Sequence, residues 1–141
     1  MSTHKKTAIL LVNLGTPSEP TPQAVRAYLK EFLSDGRVIE IPKIIWQIIL
    51  RLFVLTTRPK RVAHAYQSVW TADGSPLLAI LKQQVQSLQT SLEQDGRHMP
   101  VFATMTYGTP NIKAVMSDLT EQGFERFIVL PLYPQYSATT T

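Results

Sequence analysis

Tyrosines hold the strongest chemical signal in this sequence. Tyr107, Tyr133 and Tyr136 each follow an apolar run of strand character, in segments rich in turn formers, Tyr107-Gly108-Thr109-Pro110 and Tyr133-Pro134-Gln135-Tyr136-Ser137. A phenol in such a loop offers a flat apolar face and a hydroxyl, which suits a flat aromatic ligand and equally suits packing at a sheet edge. The second signal is cationic. No acid occurs between Glu40 and Asp73, whereas Lys43, Arg51, Arg58, Lys60 and Arg61 are all basic. A stretch of this kind fits the carboxylates of a substrate, lipid headgroups or nucleic acid, or is simply a solvated face.

Acid–base and metal chemistry are thinly provided. His4, His64 and His98 have no partners at metal-ligand spacing. Glu31, Asp35, Glu93, Asp95, Asp118 and Glu121 fall on expected helix surfaces or turns, away from the strand ends where a general base would sit. The chain has no cysteine, which excludes disulfides, thiol catalysis and cysteine-held zinc or iron–sulfur centres. Neither a G-x-G-x-x-G fingerprint nor a Walker sequence is present, so a dinucleotide or P-loop site is not expected. By themselves these residues describe a binding surface, not a complete active site.

The elements that must position them follow from pattern. Residues 7–13 form a continuous apolar run, as expected of a strand buried on both faces, before Gly15 and Pro17 break it. Thr21-Pro22 supplies an N-cap and a first-turn proline, Val25, Tyr28, Leu29 and Phe32 follow at helical spacing, and Asp35-Gly36 ends the helix. Arg37 to Ile41 fits a short strand. Residues 43–55 are the most hydrophobic stretch; Lys43, Gln47 and Arg51 share one helical face, which suits either a packed helix with a polar edge or one lying in a membrane interface. It falls short of the about 20 apolar residues needed to span a bilayer.

Thr57-Arg58-Pro59 then predicts a break, followed by a helix from Lys60 to Val69 and a turn at Asp73-Gly74. Ser75-Pro76 starts a long amphipathic helix marked by Leu77, Leu81, Val85, Leu88 and Leu92. A strand over Val101–Met105, a helix from Asn111 to about Glu121 and a strand over Arg126–Leu132 complete the alternation. Apolar strands alternating with helices indicate an α/β domain with a parallel sheet flanked by helices. Gly-Thr-Pro follows two of the strands, at 15–17 and 108–110. In open α/β sheets such loops line the ligand crevice, so 13–18, 106–111 and 133–141 form the expected floor of a site.

At 141 residues and 44% hydrophobic, the chain accommodates one core, and residues 1–141 read as a single domain. The start, Met1-Ser2-Thr3-His4-Lys5-Lys6, lacks the long apolar core of a secretory signal, which points to the cytoplasm.

Five segments together resemble the amino-terminal half of the ferrochelatases of bacteria. They are Leu11-Val12-Asn13-Leu14-Gly15-Thr16-Pro17, Tyr28-Leu29-Lys30-Glu31-Phe32-Leu33-Ser34-Asp35, Gly74-Ser75-Pro76-Leu77, Tyr107-Gly108-Thr109-Pro110 and Leu130-Pro131-Leu132-Tyr133-Pro134-Gln135-Tyr136-Ser137. The resemblance implies a chelatase-like, Rossmann-like domain with a four-stranded parallel sheet. It also implies insertion of ferrous iron into protoporphyrin IX, the last step of heme formation, with iron as substrate and no permanently bound cofactor. Tyr28, Leu29 and Phe32 would form an apolar lip, Arg58, Tyr66 and Ser75 would contact the propionates, and Leu14, Tyr107 and Tyr133 would face the macrocycle. No nucleic-acid partner is implied; contact with a membrane would run through residues 43–55.

Three departures bear on the carry-over. Leu14 stands where some members have tyrosine or methionine, Thr106 where many have arginine, and Ala138 where cluster-containing members have cysteine. The family's catalytic histidine and its acidic partner belong to a second half, so no catalytic or metal-binding residue is expected in this chain. Two rival readings are a chelatase for another tetrapyrrole or metal, and a module that holds porphyrin or membrane without catalysis.

Overall fold

A computed structural model describes residues 5–133. Three strands, β1 (Thr7–Thr16), β2 (Val101–Gly108) and β3 (Arg126–Pro131), form a parallel sheet in the order β2-β1-β3. Ile9 pairs with Val101 and Gly15 with Tyr107 on one side of β1, while Thr7 pairs with Arg126 and Leu11 with Leu130 on the other. The resemblance implies four strands; the sheet has three among the described residues.

The central strand explains why its apolar run does not alternate. Ala8, Leu10 and Val12 pack with Leu119 and Phe124, and Phe102, Val115 and Met116 lie against them. Ile9 and Leu11 point to the opposite face, where they meet Leu81, Val101 and Met105, with Leu77, Val85 and Leu88 alongside. Successive side chains leave a strand on opposite faces, so both sets must be apolar when helices cover both.

Those helices start where their caps dictate. Thr21 Oγ1 accepts from Ala24 N at 3.3 Å and opens α1 (Pro22–Ser34). Ser75 Oγ accepts from Leu78 N at 3.3 Å and opens α4 (Pro76–Gln94). Asn111 Oδ1 accepts from Lys113 N at 2.9 Å and opens α5 (Ile112–Glu121). Each side chain satisfies donors that a helix start leaves free.

Between α1 and α4 the structure departs from the sequence expectation twice. Arg37 to Ile41 is not a strand: Asp35 accepts from Arg37 N at 2.9 Å through its side chain and from Val38 N at 3.0 Å through its carbonyl, curling the chain into a turn. Nor does Thr57-Arg58-Pro59 interrupt the helix. α2 (Lys43–Ile49) runs through a π-helical turn (Leu50–Val54) into α3 (Leu55–Val69), with Pro59 buried inside. Thr56 Oγ1 donates to the Leu52 carbonyl at 2.8 Å, and Thr57 Oγ1 to that of Phe53 at 2.6 Å, taking up acceptors in the widened turn. Pro59 removes only the bond to Leu55, just past the π turn where the ladder has already shifted register.

Candidate functional site

The carboxyl ends of the strands gather a cluster of rings. Tyr28 and Phe32 of α1 stack with centroids 6.0 Å apart, and Phe32 meets Tyr107 of β2 edge-on at 5.1 Å. Tyr28 and Phe32 lie one turn apart on the helix, so a single face carries both. Tyr107 is only 5% exposed, because Phe32 and the α1 terminus cover it.

Two carboxylates bind that terminus to the strand end. Tyr107 donates its hydroxyl to Asp35 Oδ2 at 2.6 Å, and Gly108 N donates to Glu31 Oε2 at 3.1 Å. Asp35 also takes Arg37 in a forked pair, 3.2 Å from Nε and 2.9 Å from Nη2. The hydrogen bonds from Arg37, followed by that from Tyr107, hold the Asp35 carboxyl well below the usual carboxylate range. Burial, followed by the bond to Asp35, pushes the Tyr107 phenol up to about 12. Both effects keep Asp35 charged and Tyr107 protonated at neutral pH.

The two Gly-Thr-Pro loops lock onto each other. A Cβ on Gly15 would stand 2.2 Å from the Tyr107 carbonyl oxygen, and one on Gly108 would stand 2.4 Å from that of Thr16. Both glycines have positive φ, 149° and 81°. Only residues without side chains permit this approach. Thr16 Oγ1 is buried without a hydrogen-bond partner among the described residues and lines a cavity of about 140 Å³ with Glu31 and Thr109.

A larger groove, of about 560 Å³, runs beside α3 and is lined by Arg58, Arg61, Val62, Ala65, Tyr66 and Val69. Arg58 and Tyr66 lie two turns apart on that face, which places a cation and a phenol over one concavity. Tyr66 also packs edge-on against Trp70 at 6.0 Å. Burial above all, and then the nearness of Tyr66, raises the Tyr28 phenol beyond its ordinary range. Among the described residues no three His, Asp or Glu side chains converge to hold a metal ion.

The ferrochelatase family model matches residues 6–141. The chain belongs to the ferrochelatase family. It is 58% identical to a ferrochelatase of Psychrobacter sp. (strain PRwf-1), over 94% of this chain and 40% of that protein. It is 56% identical to a ferrochelatase of Acinetobacter baumannii (strain ATCC 17978), over 96% of this chain and 40% of that protein. With the ferrochelatase of Methylococcus capsulatus the identity is 52%, over 99% of this chain and 41% of that protein. The chain thus spans about 40% of the length of the relatives it matches.

The residues singled out in sequence are brought together only in part. Phe32 links Tyr28 and Tyr107 in one ring cluster, and Arg58 and Tyr66 share the α3 groove. Tyr133 is half-buried and its hydroxyl lies 2.6 Å from Thr106 Oγ1, so threonine occupies a polar role beside the strand end. Leu14 and Leu29 are half-buried on β1 and α1. Ser75 is 1% exposed and engaged as the α4 cap, apart from the groove-lining residues. Tyr136 lies outside the described residues.

Sequence reasoning placed Glu31 and Asp35 on a helix surface and a turn, and so missed that both brace the strand end. Their signal was available only as position: Glu31 sits in the last turn of the helix that carries Tyr28 and Phe32, and Asp35 is its C-cap.

Proposed function

We propose that this chain forms one wall of a porphyrin cleft in a protein that inserts ferrous iron into protoporphyrin IX to give protoheme. The observation that carries the reading is the convergence of Arg58 and Tyr66 on one groove beside the aromatic cluster, in a chain of the ferrochelatase family. Arg58 would take a propionate, since guanidinium and carboxylate form a forked, orienting pair, with Tyr66 as a further polar contact; Ser75, buried and engaged as the α4 cap, would reach a propionate only by giving up that bond. Tyr28, Leu29 and Phe32 would form the apolar lip, and Leu14, Tyr107 and Tyr133 the surface toward the macrocycle. Tyr107 reaches a macrocycle only when Phe32 swings aside, because the ring is covered.

Iron enters as the substrate, and two pyrrole protons must leave as it does, which requires a positioned base. The two histidines among the described residues, His64 and His98, are exposed and far from one another in sequence. The base and the metal ligands are therefore assigned to the remainder of a full-length family protein. Zinc or ferrous insertion into protoporphyrin, measured for this chain alone and for the chain extended to full family length, tests the assignment. Activity in the extended form alone is expected. Activity in the short chain would overturn the placement of the base, and silence in both would favour a module that holds porphyrin without catalysis.

A second reading, peripheral contact with the cytoplasmic face of a membrane, rests on α2 and the π turn. Ile44 is 79% exposed, Ile45 and Ile48 54%, Leu52 61% and Phe53 64%, so the 43–55 segment turns an apolar face outward while Leu50 and Leu55 anchor its inner face in the core. Among the described residues no helix is long and apolar enough to cross a membrane, which leaves an interfacial position for this surface.

A further inference from the structure

A second cavity, of about 210 Å³, lies between the start of α1 and the start of α3, lined by Pro22, Gln23, Arg26, Thr56, Pro59 and Lys60 among others. We infer that this cavity receives the phosphate of an anionic membrane lipid. The inference deepens, and rests on, the membrane-contact reading of residues 43–55.

Charge supplies the first argument. Arg26 and Lys60 come from different helices and face one concavity, and among the described residues the single ion pair is Arg37 with Asp35. Glu31 and Asp35 are engaged with Gly108, Tyr107 and Arg37 at the opposite end of α1, and Glu19, just before its start, makes no ion pair among the described residues. Arginine offers a planar fork and lysine a point charge, a combination suited to a phosphate ester.

Position supplies the second. Thr56, in the cavity wall, donates its hydroxyl to the carbonyl of Leu52, and Leu52 and Phe53 are the exposed apolar residues of the π turn. The cavity wall therefore lies one helical turn from the exposed apolar surface, close enough for one lipid to place acyl chains against that surface and its phosphate at the cations. An apolar patch alone would bind any bilayer; a cation pair at its border selects an anionic one.

The test compares binding of the chain to phosphatidylcholine vesicles with binding to vesicles of phosphatidylcholine and phosphatidylglycerol. Each basic side chain near such a surface strengthens binding severalfold, so Arg26→Ala with Lys60→Ala is expected to weaken binding to the anionic vesicles roughly thirtyfold. A charge-matched pair away from the cavity, Arg97→Ala with Lys113→Ala, is expected to change it by less than about threefold. Equal losses for the two pairs would overturn the cavity while leaving the membrane reading intact. Absence of binding by the unsubstituted chain, or undiminished binding by Ile48→Asp with Phe53→Asp, would overturn both. Tight capture of inorganic phosphate without vesicles, lost in the Arg26/Lys60 variant, would replace the lipid with a free phosphate.

Discussion

Asp35 is the residue whose removal most sharply tests the arrangement at the strand ends. Asp35→Ala leaves the Tyr107 hydroxyl, on a side chain only 5% exposed, without its acceptor at 2.6 Å. Hydrogen bonds to charged groups contribute about 1.5–3 kcal/mol, and the cost is larger when the abandoned partner is buried. Arg37 adds little, because its side chain is 61% exposed and solvent screens the pair. The expected loss is therefore about 2 kcal/mol, and about 1 kcal/mol for Asp35→Asn, which keeps an acceptor without the charge.

Urea unfolding near neutral pH reads the loss, and a cycle with Tyr107→Phe isolates the pair, with a coupling of about 1.5 kcal/mol expected. The pH dependence supplies an independent check. Asp35 has a depressed carboxyl in the fold, so its contribution is present above the unfolded value of about 3.9 and fades as pH falls through the lower folded value. Tyr107 is shifted the other way: its contribution is complete below about 10 and is lost as pH rises through about 12. Tyrosinate absorbance, taken as the difference between the unsubstituted chain and Tyr107→Phe, should place that phenol near 12 and show it falling in Asp35→Asn. An unchanged tyrosinate curve together with zero coupling would refute the reasoning.

Three further outcomes are expected. Arg58→Ala should weaken a porphyrin dicarboxylate about tenfold to a hundredfold and leave its diester unaffected, as lost charge-assisted bonds predict; equal losses would remove Arg58 from the propionate role. Gly15→Ala should destabilise the chain by roughly 3 kcal/mol or more, because the new methyl meets the Tyr107 carbonyl at 2.2 Å. Gly36→Ala, whose nearest neighbour is the Lys43 side chain at 3.7 Å, should stay within about 0.5 kcal/mol in the same denaturation assay. Ser75→Ala should cost about 1 kcal/mol as a lost cap, and calorimetry with a porphyrin dicarboxylate then shows whether binding shifts as well.

The parts of this fold that local chemistry decides could be read directly from the chain. Thr21 and Ser75 open helices because a hydroxyl before Pro-initiated turns has one good use, and the run from Ala8 to Val12 is uniformly apolar because helices cover both of its faces. Pro59 misled because proline usually ends a helix, and nothing in Leu50–Val54 announces the wider turn that lets the helix pass through it. Arg37 to Ile41 misled because its β-branched residues suggest a strand, whereas the preceding aspartate curls the backbone. At the candidate site, Tyr28, Phe32 and Tyr107 drew attention as rings, but the Asp35–Tyr107 bond spans 72 residues and has no local trace.

The interlocked glycines bear on how the sheet assembles. β1 and β2 meet across some ninety residues of intervening chain, and parallel strands offer many near-equivalent offsets during folding. A slip of one residue would exchange the faces of every side chain on the strand, and would also drive a Cβ of a neighbouring residue toward the carbonyls that now face Gly15 and Gly108. The alignment that forms the crevice is thus also the one that both loops admit sterically, so the glycine pair pins the register as well as shaping the site.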